Sequence, residues 1–265
     1  VLELEGSDVL KAPFEYPFLK SYYNFFFKYA HGVIQDSKIS QVNGILFGAK
    51  RENNEVIEIG VDINVFNNNI DKGVIRKKYN LKRNQPMVFH SRSLKKIYNI
   101  LTIIKSITIA KKKFNNIKFL FTGSYKDLQS DCKEIIENNN LKENIIFVGK
   151  VNHKKEMKYY YKDSNLSVSV PYSDSSPFSV YESMACKTPV IVSDLNWFKG
   201  KFKNKKHLLA VKADDYKKLG KYIIDILEKN IKLDLESASM IIRKNINKDI
   251  ENKRLENLYK KLLIK

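Results

Sequence analysis

The sequence predicts an α/β fold with a doubly wound parallel sheet, because short apolar runs alternate along the chain with stretches of helical periodicity. Five runs are typical of buried strands: Met87–Phe89, Asn116–Gly123, Asn144–Gly149, Asn165–Val170 and Pro189–Ser193. Helices are predicted from Ile100 onward, where isoleucines recur at helical spacing, and over residues 127–140, 216–229 and 233–264. Sheets of this class bind ligands in a crevice at the carboxyl ends of the strands.

The stretch from Tyr172 to Asp194 predicts a loop, a short helix, a tight turn and a buried strand at such a crevice. Pro177 fixes its own φ and keeps Ser176 out of the helical region, so the helix is expected to begin at Phe178 or Ser179. The first turn of a helix has unpaired N–H groups and carries the positive end of the helix dipole. Pro177, Phe178 and Ser179 are therefore predicted to hold a phosphate or diphosphate.

Two carboxylates accompany this helix start, since Asp174 precedes it and Glu182 lies within the helix. With Met184-Ala185 and Pro189–Ser193, the segment resembles the donor-site motif of family-4 retaining glycosyltransferases, which have the GT-B architecture of two Rossmann-like domains. Asp174 stands where Glu is usual, and Lys187 occupies a turn position usually held by Gly. The resemblance implies that Glu182 binds the ribose hydroxyls of a sugar nucleotide and that Asp174 orients the donor sugar.

Cationic residues follow the first predicted strand. The stretch from His90 to Asn99 resembles the phosphate loop of the same family, in which an Arg and a Lys meet the diphosphate. Arg92 matches the Arg, whereas Tyr98 falls near the usual Lys, so Lys96 or its neighbour Lys95 is expected to substitute. Cations there would stabilise a nucleoside diphosphate leaving group. The alternative is that the two lysines are a solvated pair at the entry to a helix.

The nucleotide base is expected beside the third predicted strand, which ends in Phe-Val-Gly149. In the resembling family, the backbone after this strand pairs with the base. The resemblance therefore places Lys150 and Val151 at the base.

The amino-terminal part of the chain resembles only a portion of a second domain. Gly6–Asp8 is similar to a segment midway through that domain. Gly32–Ser37 is similar to a strand followed by a helix N-cap, and Glu55–Asp62 is similar to the interdomain strand and linker. We therefore expect residues 1–61 to be a partial acceptor-side domain in an N-terminally truncated chain, and 62–265 to be the nucleotide-sugar domain, with the last helix returning to the first. Such a remnant cannot close a doubly wound sheet alone, so several of its aromatic side chains are expected to be exposed: Phe14, Phe18, Tyr22, Phe25 and Phe26.

The chain is strongly basic, with a net charge of +19 and a pI near 9.6, and has lysine-rich runs at 111–113 and 199–206. Aromatic residues do not interleave with the basic ones, and no helix-turn-helix, RNP or zinc-finger spacing occurs. Diffuse solvated charge is the favoured interpretation. Peripheral contact with an anionic membrane is the second interpretation of the basic charge, and binding to nucleic acid is the least favoured one.

Two cysteines, Cys132 and Cys186, are too few for a disulfide framework, and neither they nor the four histidines have metal-site spacing. A cytoplasmic protein without a metal is therefore expected, on the inner face of the membrane if it is peripheral. No run approaches the roughly 20 apolar residues of a membrane span. Val1–Leu10 carries three acids, unlike a signal peptide.

The resemblance thus implies a glycosyltransferase that moves a sugar from a nucleoside-diphosphate sugar to a hydroxyl of a glycan or lipid acceptor, with retention of configuration and no cofactor. No residue is identified as the acceptor's base. Two alternatives stay open: a nucleotide-sugar epimerase or phosphorylase of the same fold, and a non-catalytic basic binding module.

Overall fold

The computed structural model describes residues 1–4, 7–10 and 12–264, and these form two parallel sheets. The three strands of the first sheet are β1 (Leu2–Leu4), β2 (Val33–Gln35) and β3 (Asn54–Val56). The six strands of the second are β4 (Met87–His90), β5 (Lys118–Thr122), β6 (Ile145–Gly149), β7 (Leu166–Ser169), β8 (Val190–Ser193) and β9 (Leu209–Val211).

Helices connect the strands. The first sheet carries α1 (Ser7–Leu10), α2 (Ala12–Glu15), α3 (Leu19–Tyr29) and α4 (Lys38–Leu46). The second carries α5 (Val74–Lys78), α6 (Ile100–Lys113), α7 (Ser130–Asn138), α8 (Met157–Asp163), α9 (Phe178–Ala185), α10 (Tyr216–Leu227) and α11 (Leu235–Asn245), and α12 (Lys248–Leu263) ends the chain. None of these helices, within the part of the chain that is described, is long and apolar enough to cross a bilayer.

The large sheet has the strand order β6-β5-β4-β7-β8-β9, with every pair parallel. The order reverses between β4 and β7, so the predicted doubly wound fold class is confirmed and its ligand crevice lies where these two strands meet. All five predicted strands form. The sixth strand, β9, was not predicted, and it extends the sheet beyond β8 through pairs such as Ile191 with Leu209.

Both faces of the large sheet are covered, as parallel sheets require. Successive residues of β4 point to opposite sides: Phe89 packs with Tyr160 and Met184 on one face, and Val88 joins Ile104 on the other. Because both faces are packed, most of the strands are apolar runs that the sequence pattern predicts; the edge strand β6 is half-buried, and β7 carries two buried serines.

Two predicted helices differ in extent from the prediction. The helix predicted over 127–140 begins only at Ser130, because the preceding residues form a 3-10 turn, Tyr125–Asp127, that the Ser124 and Asp127 side chains cap reciprocally. The stretch 233–264 divides at Asn247, whose side chain accepts from the Asp249 amide and begins α12.

The last helix packs on the first sheet. Leu258 of α12 is buried against Ile34 and Ile57, and the linker is tied to the start of α12 by a hydrogen bond from the Lys248 amide to the Val61 carbonyl, 3.0 Å long. The approach is close at Gly60, where a Cβ would lie 2.6 Å from the Cα of Lys248. The division into domains at 61 and 62 stays a prediction, but the linker and α12 join the two sheets.

The aromatic residues of the small unit divide into an inner and an outer set. Phe27 of α3 is buried against Phe47. The five expected to be exposed are between 54% and 68% accessible: Phe14, Phe18, Tyr22, Phe25 and Phe26. Of the predicted segment Gly6–Asp8, Gly6 lies outside the described residues.

Lys187, at the turn after α9, has a left-handed backbone with φ at +56°. This conformation costs a non-glycine residue about 1–2 kcal/mol, which explains why glycine is usual at this position in the resembling motif. The Lys187 side chain forms an ion pair with Glu236, whose side chain is 68% exposed, and such exposed pairs contribute little.

We expect the Lys187→Gly variant to have a higher free energy of unfolding than Lys187→Ala, by about 1 kcal/mol. Both changes remove the ion pair, but only glycine relieves the left-handed strain. Urea denaturation of the two variants measures the difference. Equal stabilities, or a more stable alanine variant, would contradict the assigned backbone conformation.

Candidate active site

Two adjoining cavities lie at the carboxyl ends of β4 and β7. The first has a volume of about 660 Å³ and the second about 650 Å³, and they share Ser91 and Met157 as lining residues. The first cavity is bordered by both sheets, since Asp36 and Ile59 come from the small unit and the start of α9 from the large one. Together they form an elongated cleft suited to an extended ligand.

The start of α9 forms one wall of the first cavity. The helix begins at Phe178, directly after Pro177, as predicted. The amides of Val180 and Tyr181 donate to the Pro177 carbonyl at 3.0 and 3.2 Å, so the amides of Phe178 and Ser179 stand at the open end of the helix. Phe178 and Ser179 both line the cavity. Such a helix start attracts an anion.

Glu182 lies one turn into α9, with 5% of its surface exposed. Its Oε2 accepts a hydrogen bond from the Tyr161 hydroxyl at 3.1 Å, and its Oε1 lies 2.5 Å from Nε2 of His153, in the loop after β6. The hydrogen bond to Glu182 raises the pKa of His153 above its ordinary value, against the opposing effect of partial burial. Burial, reinforced by Glu182, raises the pKa of Tyr161 well above its usual range.

These two partners of Glu182 were missed by the sequence analysis. Histidines were examined there only for metal spacing, although His153 closely follows the strand end predicted to meet the base. The side chain of His153 is 58% exposed and its ring packs 5.3 Å from that of Phe66. The Oε1 side of Glu182 is thus covered by the partly exposed ring of His153, and the Oε2 side by buried Tyr161.

Asp174 lies nearly buried in the loop before α9. Its Oδ1 accepts a hydrogen bond from the Ser175 amide at 3.0 Å, and its Oδ2 lies 3.4 Å from a guanidinium nitrogen of Arg92. Burial raises the pKa of Asp174, and the charge of Arg92 opposes that rise. Among the described residues, the buried Oδ2 has no hydrogen-bond partner of good geometry, and its ion pair with Arg92 offsets part of the cost of its burial.

Arg92 is positioned by Tyr98, because its guanidinium lies 4.4 Å from the centre of that ring. Asn99 adopts a left-handed conformation with φ at +55°, which asparagine tolerates better than most residues. The side-chain Nδ2 of Asn99 donates to the Val170 carbonyl at 3.1 Å and anchors the loop to the end of β7. Tyr98 and Asn99 thus provide a stacking partner and a left-handed turn at the positions where the resembling motif has Lys and Gly.

The two candidate lysines differ in position. Lys96 is exposed in a 3-10 turn, Lys96–Tyr98, and lines neither cavity, whereas Lys95 lines the second cavity. Of the pair, Lys95 therefore borders the cleft, and the structure does not bring Lys96 to Arg92 and Asp174.

The second cavity contains the predicted base position. Gly149, Lys150 and Val151 line it, opposite Thr122, Gly123 and Ser124. Two hydrogen bonds between Gly123 and Gly149, of 2.9 and 3.0 Å, join the ends of β5 and β6. They fix the place where the backbone of Lys150 and Val151 enters the cleft.

The small unit holds the loop before α9 through two further carboxylates that the sequence analysis did not identify. The hydroxyl of Ser175 donates to Asp36, which follows β2, and that of Ser176 donates to Glu58 at 2.7 Å. Glu58 is 6% exposed and forms an ion pair with Lys201. These contacts span more than a hundred residues of sequence, and no local pattern signals them.

Within residues 1–4, 7–10 and 12–264, no group of three or more His, Cys, Asp or Glu side chains is arranged to hold a metal ion. Positive charge in the first cavity comes from Arg92 and from the start of α9, whereas the charge of protonated His153 is compensated by Glu182.

Several solved structures share this fold. A structure of HepE from Anabaena in complex with UDP-glucose is similar with a TM-score of 0.81 at 17% identity, over 98% of this chain and 72% of that one. A glycosyltransferase from Rickettsia africae has a TM-score of 0.78 at 20% identity, over 98% of this chain and 70% of that one. Sucrose-phosphate synthase from Thermosynechococcus elongatus has a TM-score of 0.77 at 19% identity, over 97% of this chain and 65% of that one.

No curated protein sequence gives a significant match. The family model described as glycosyl transferases group 1 matches residues 71–248, which include Arg92, His153, Asp174 and Glu182. That range is more than half of the chain and contains the whole large sheet. The chain therefore belongs to the glycosyl transferases group 1 family.

Proposed function

We propose that this protein binds a nucleoside-diphosphate sugar in the cleft and takes part in transferring the sugar to an acceptor hydroxyl with retention of configuration. The observation that carries the proposal is the convergence of the α9 start, Arg92, Asp174 and Glu182 on one cavity. The similar structure of HepE contains UDP-glucose, which supports a donor of this class.

The diphosphate would lie at the start of α9, where the amides of Phe178 and Ser179 and the helix dipole favour an anion. Arg92 borders the same cavity and presents a planar, permanently charged donor group. As the bond to the sugar breaks, negative charge grows on the leaving diphosphate. Fixed donors aimed at that charge lower the barrier without a metal ion.

The ribose would bind at Glu182. Tyr161 holds Oε2 from the buried side, whereas the partner of Oε1 is the more exposed His153. A ribose hydroxyl can therefore replace His153 as the hydrogen-bond donor to Oε1 while Tyr161 keeps the carboxylate in place. The base would extend from there into the second cavity, against the backbone of Val151.

The sugar would bind beside Asp174, whose carboxylate lines the first cavity and would accept a hydrogen bond from a sugar hydroxyl. Retention is part of the proposal because the pair of Asp174 and Glu182 resembles the acid pair of retaining transferases. The acceptor would approach from the side of the small unit, which borders the first cavity at Asp36 and Ile59.

Thermal melts with UDP, GDP and ADP test the donor site. A ligand that binds only the folded state stabilises it by about 2.7 kcal/mol at a concentration of 100 times its Kd, so at least one diphosphate should raise the melting temperature. Arg92→Ala should reduce the shift, whereas Arg83→Ala, which removes an exposed guanidinium outside both cavities, should not. If no nucleotide shifts the melting of folded protein, the donor site is refuted and the basic binding module is favoured.

Substitution of Glu182 and substitution of Asp174 should change the affinities for different ligands. Glu182→Ala is expected to weaken UDP and UDP-glucose alike, by about 1.5–3 kcal/mol for each charge-assisted hydrogen bond lost. Asp174→Ala is expected to weaken UDP-glucose relative to UDP, because the proposed partner of Asp174 is the sugar, whereas any effect through its ion-pair partner Arg92 acts on both ligands. Calorimetric titration of both variants with both ligands measures the effects, and near-ultraviolet circular dichroism checks their folding. Wild-type binding by Glu182→Ala would remove its assigned role.

Nucleotide affinity should rise with pH. The pKa of His153 is raised because its ion pair with Glu182 favours the protonated ring. The stabilisation that this pair gives the unliganded protein is complete below the ordinary histidine pKa of about 6.5, and it is lost as the pH rises through the raised pKa. A ribose that replaces His153 therefore competes with a weaker partner at higher pH. Titration of UDP binding from about pH 5.5 to about 8.5 measures this.

His153→Ala is the matched control, because the phosphate of UDP also titrates in this range and does so equally in both proteins. The difference in affinity between wild type and His153→Ala should shrink as the pH rises. A difference that is constant across the range would show that His153 does not compete with the nucleotide.

A further inference from the structure

We propose that Ser91 is a further specificity-determining residue of the donor site, where its hydroxyl oxygen accepts a hydrogen bond from the ribose hydroxyl that Glu182 does not bind. This inference rests on the proposed donor site. It adds a second contact with the ribose, through which the site distinguishes ribonucleotides from their deoxy forms.

Ser91 lies at the junction of the two cavities. It follows β4 directly and lines both of them. The proposed nucleotide crosses this junction, because its diphosphate lies in the first cavity and its base in the second. The ribose connects those two groups and therefore passes beside Ser91. Met157 also lines both cavities, but it offers only a thioether, which is a weak acceptor.

The Tyr161 hydroxyl stands between Ser91 and Glu182. Its oxygen lies 2.9 Å from Oγ of Ser91 and 3.1 Å from Oε2 of Glu182. A phenol has a single proton, so Tyr161 can donate to only one of these oxygens at a time. The direction of the two hydrogen bonds therefore depends on which oxygen is the better acceptor.

The carboxylate of Glu182 takes the proton of Tyr161. An ionised carboxylate can only accept, and leaving its buried oxygen without a donor costs more than leaving a hydroxyl unpaired. A serine hydroxyl can donate as well as accept, so the contact between Ser91 and Tyr161 is kept when Ser91 donates to the phenol oxygen. Burial is the main cause of the raised pKa of Tyr161, and the contact with Ser91 opposes that rise, as a donor to the phenol oxygen does.

The hydrogen bonds thus run from Ser91 to Tyr161 to Glu182, and Ser91 presents only its lone pairs to the cleft. The oxygens of a diphosphate are acceptors and find no partner there, whereas a ribose hydroxyl can donate. Ribose has two adjacent hydroxyls. One replaces His153 at Oε1 of Glu182, and its neighbour donates to Oγ of Ser91. Since Ser91 is half-buried, its hydroxyl is accessible to a ligand in the cleft.

Calorimetric titrations of UDP, 2′-deoxy-UDP and 3′-deoxy-UDP test the inference in wild type, Ser91→Ala and Ser21→Ala. Alanine at position 91 removes the hydroxyl and leaves the hydrogen bond from Tyr161 to Glu182 intact. Ser21 is an exposed serine that lines neither cavity. Each deoxy analogue should bind wild type about threefold or more weakly than UDP, because one hydrogen bond is lost.

Ser91→Ala should weaken UDP by a similar factor of about threefold or more. It should also abolish the penalty for one analogue, the one that lacks the hydroxyl bound by Ser91, and keep the penalty for the other. Ser21→Ala should leave all three affinities unchanged. Near-ultraviolet circular dichroism checks that the variants are folded.

Other outcomes overturn the inference in distinguishable ways. Equal weakening of all three nucleotides by Ser91→Ala would assign Ser91 a structural role or a contact with another part of the nucleotide. Equal binding of UDP and both analogues by wild type would remove the ribose from Ser91 and Glu182 while the diphosphate site remains. If GDP binds and UDP does not, the deoxy forms of GDP are compared in the same way. If no nucleoside diphosphate binds, the donor site itself fails and the inference fails with it.

Discussion

The start of α9 is the constraint on which the whole site depends. Pro177 ends the extended chain and directs it into the helix, while the two preceding serines are held by carboxylates of the other unit, Ser175 by Asp36 and Ser176 by Glu58. With the start fixed, Asp174 in the loop before α9 and Glu182 within the helix line the same cavity. A shift of this start by one residue would rotate Glu182 by about 100° and remove it from Tyr161.

Buried carboxylates also link the two sheets behind the site. Glu58 pairs with Lys201 of the large unit, and its amide donates to Glu251 of α12 at 3.1 Å. Burial raises the pKa of Glu251, while its ion pair with Arg254 opposes that rise. A buried charge is tolerated only when it is paired and hydrogen-bonded, and these contacts give Glu58 and Glu251 such partners. The cleft is thereby coupled to the packing of α12 on the first sheet.

Local signals explain what the sequence could predict. The apolar runs of the large sheet and the proline before α9 depend on near neighbours, and both were recognised. The strand β9 was missed because Leu209–Val211 is short and follows a lysine-rich stretch, and its strand conformation comes from pairing with β8. Side chains that meet across the fold had no local signal: His153 reaches Glu182 from 29 positions away, and Asp36 reaches Ser175 from 139. The prediction that Lys96 lies beside Arg92 was not met, because the 3-10 turn that ends at Tyr98 leaves the Lys96 side chain outside the cleft. A sequence pattern does not show in which direction such a turn points its side chains.

A crystal structure of the chain with UDP tests the central claim most directly. The account predicts a diphosphate within hydrogen-bonding distance of the amides of Phe178 and Ser179 and of the Arg92 guanidinium, a ribose hydroxyl on Oε1 of Glu182 in place of His153, and the base against the backbone of Val151. A nucleotide bound away from the start of α9, or one that leaves the contact between His153 and Glu182 intact, would contradict it.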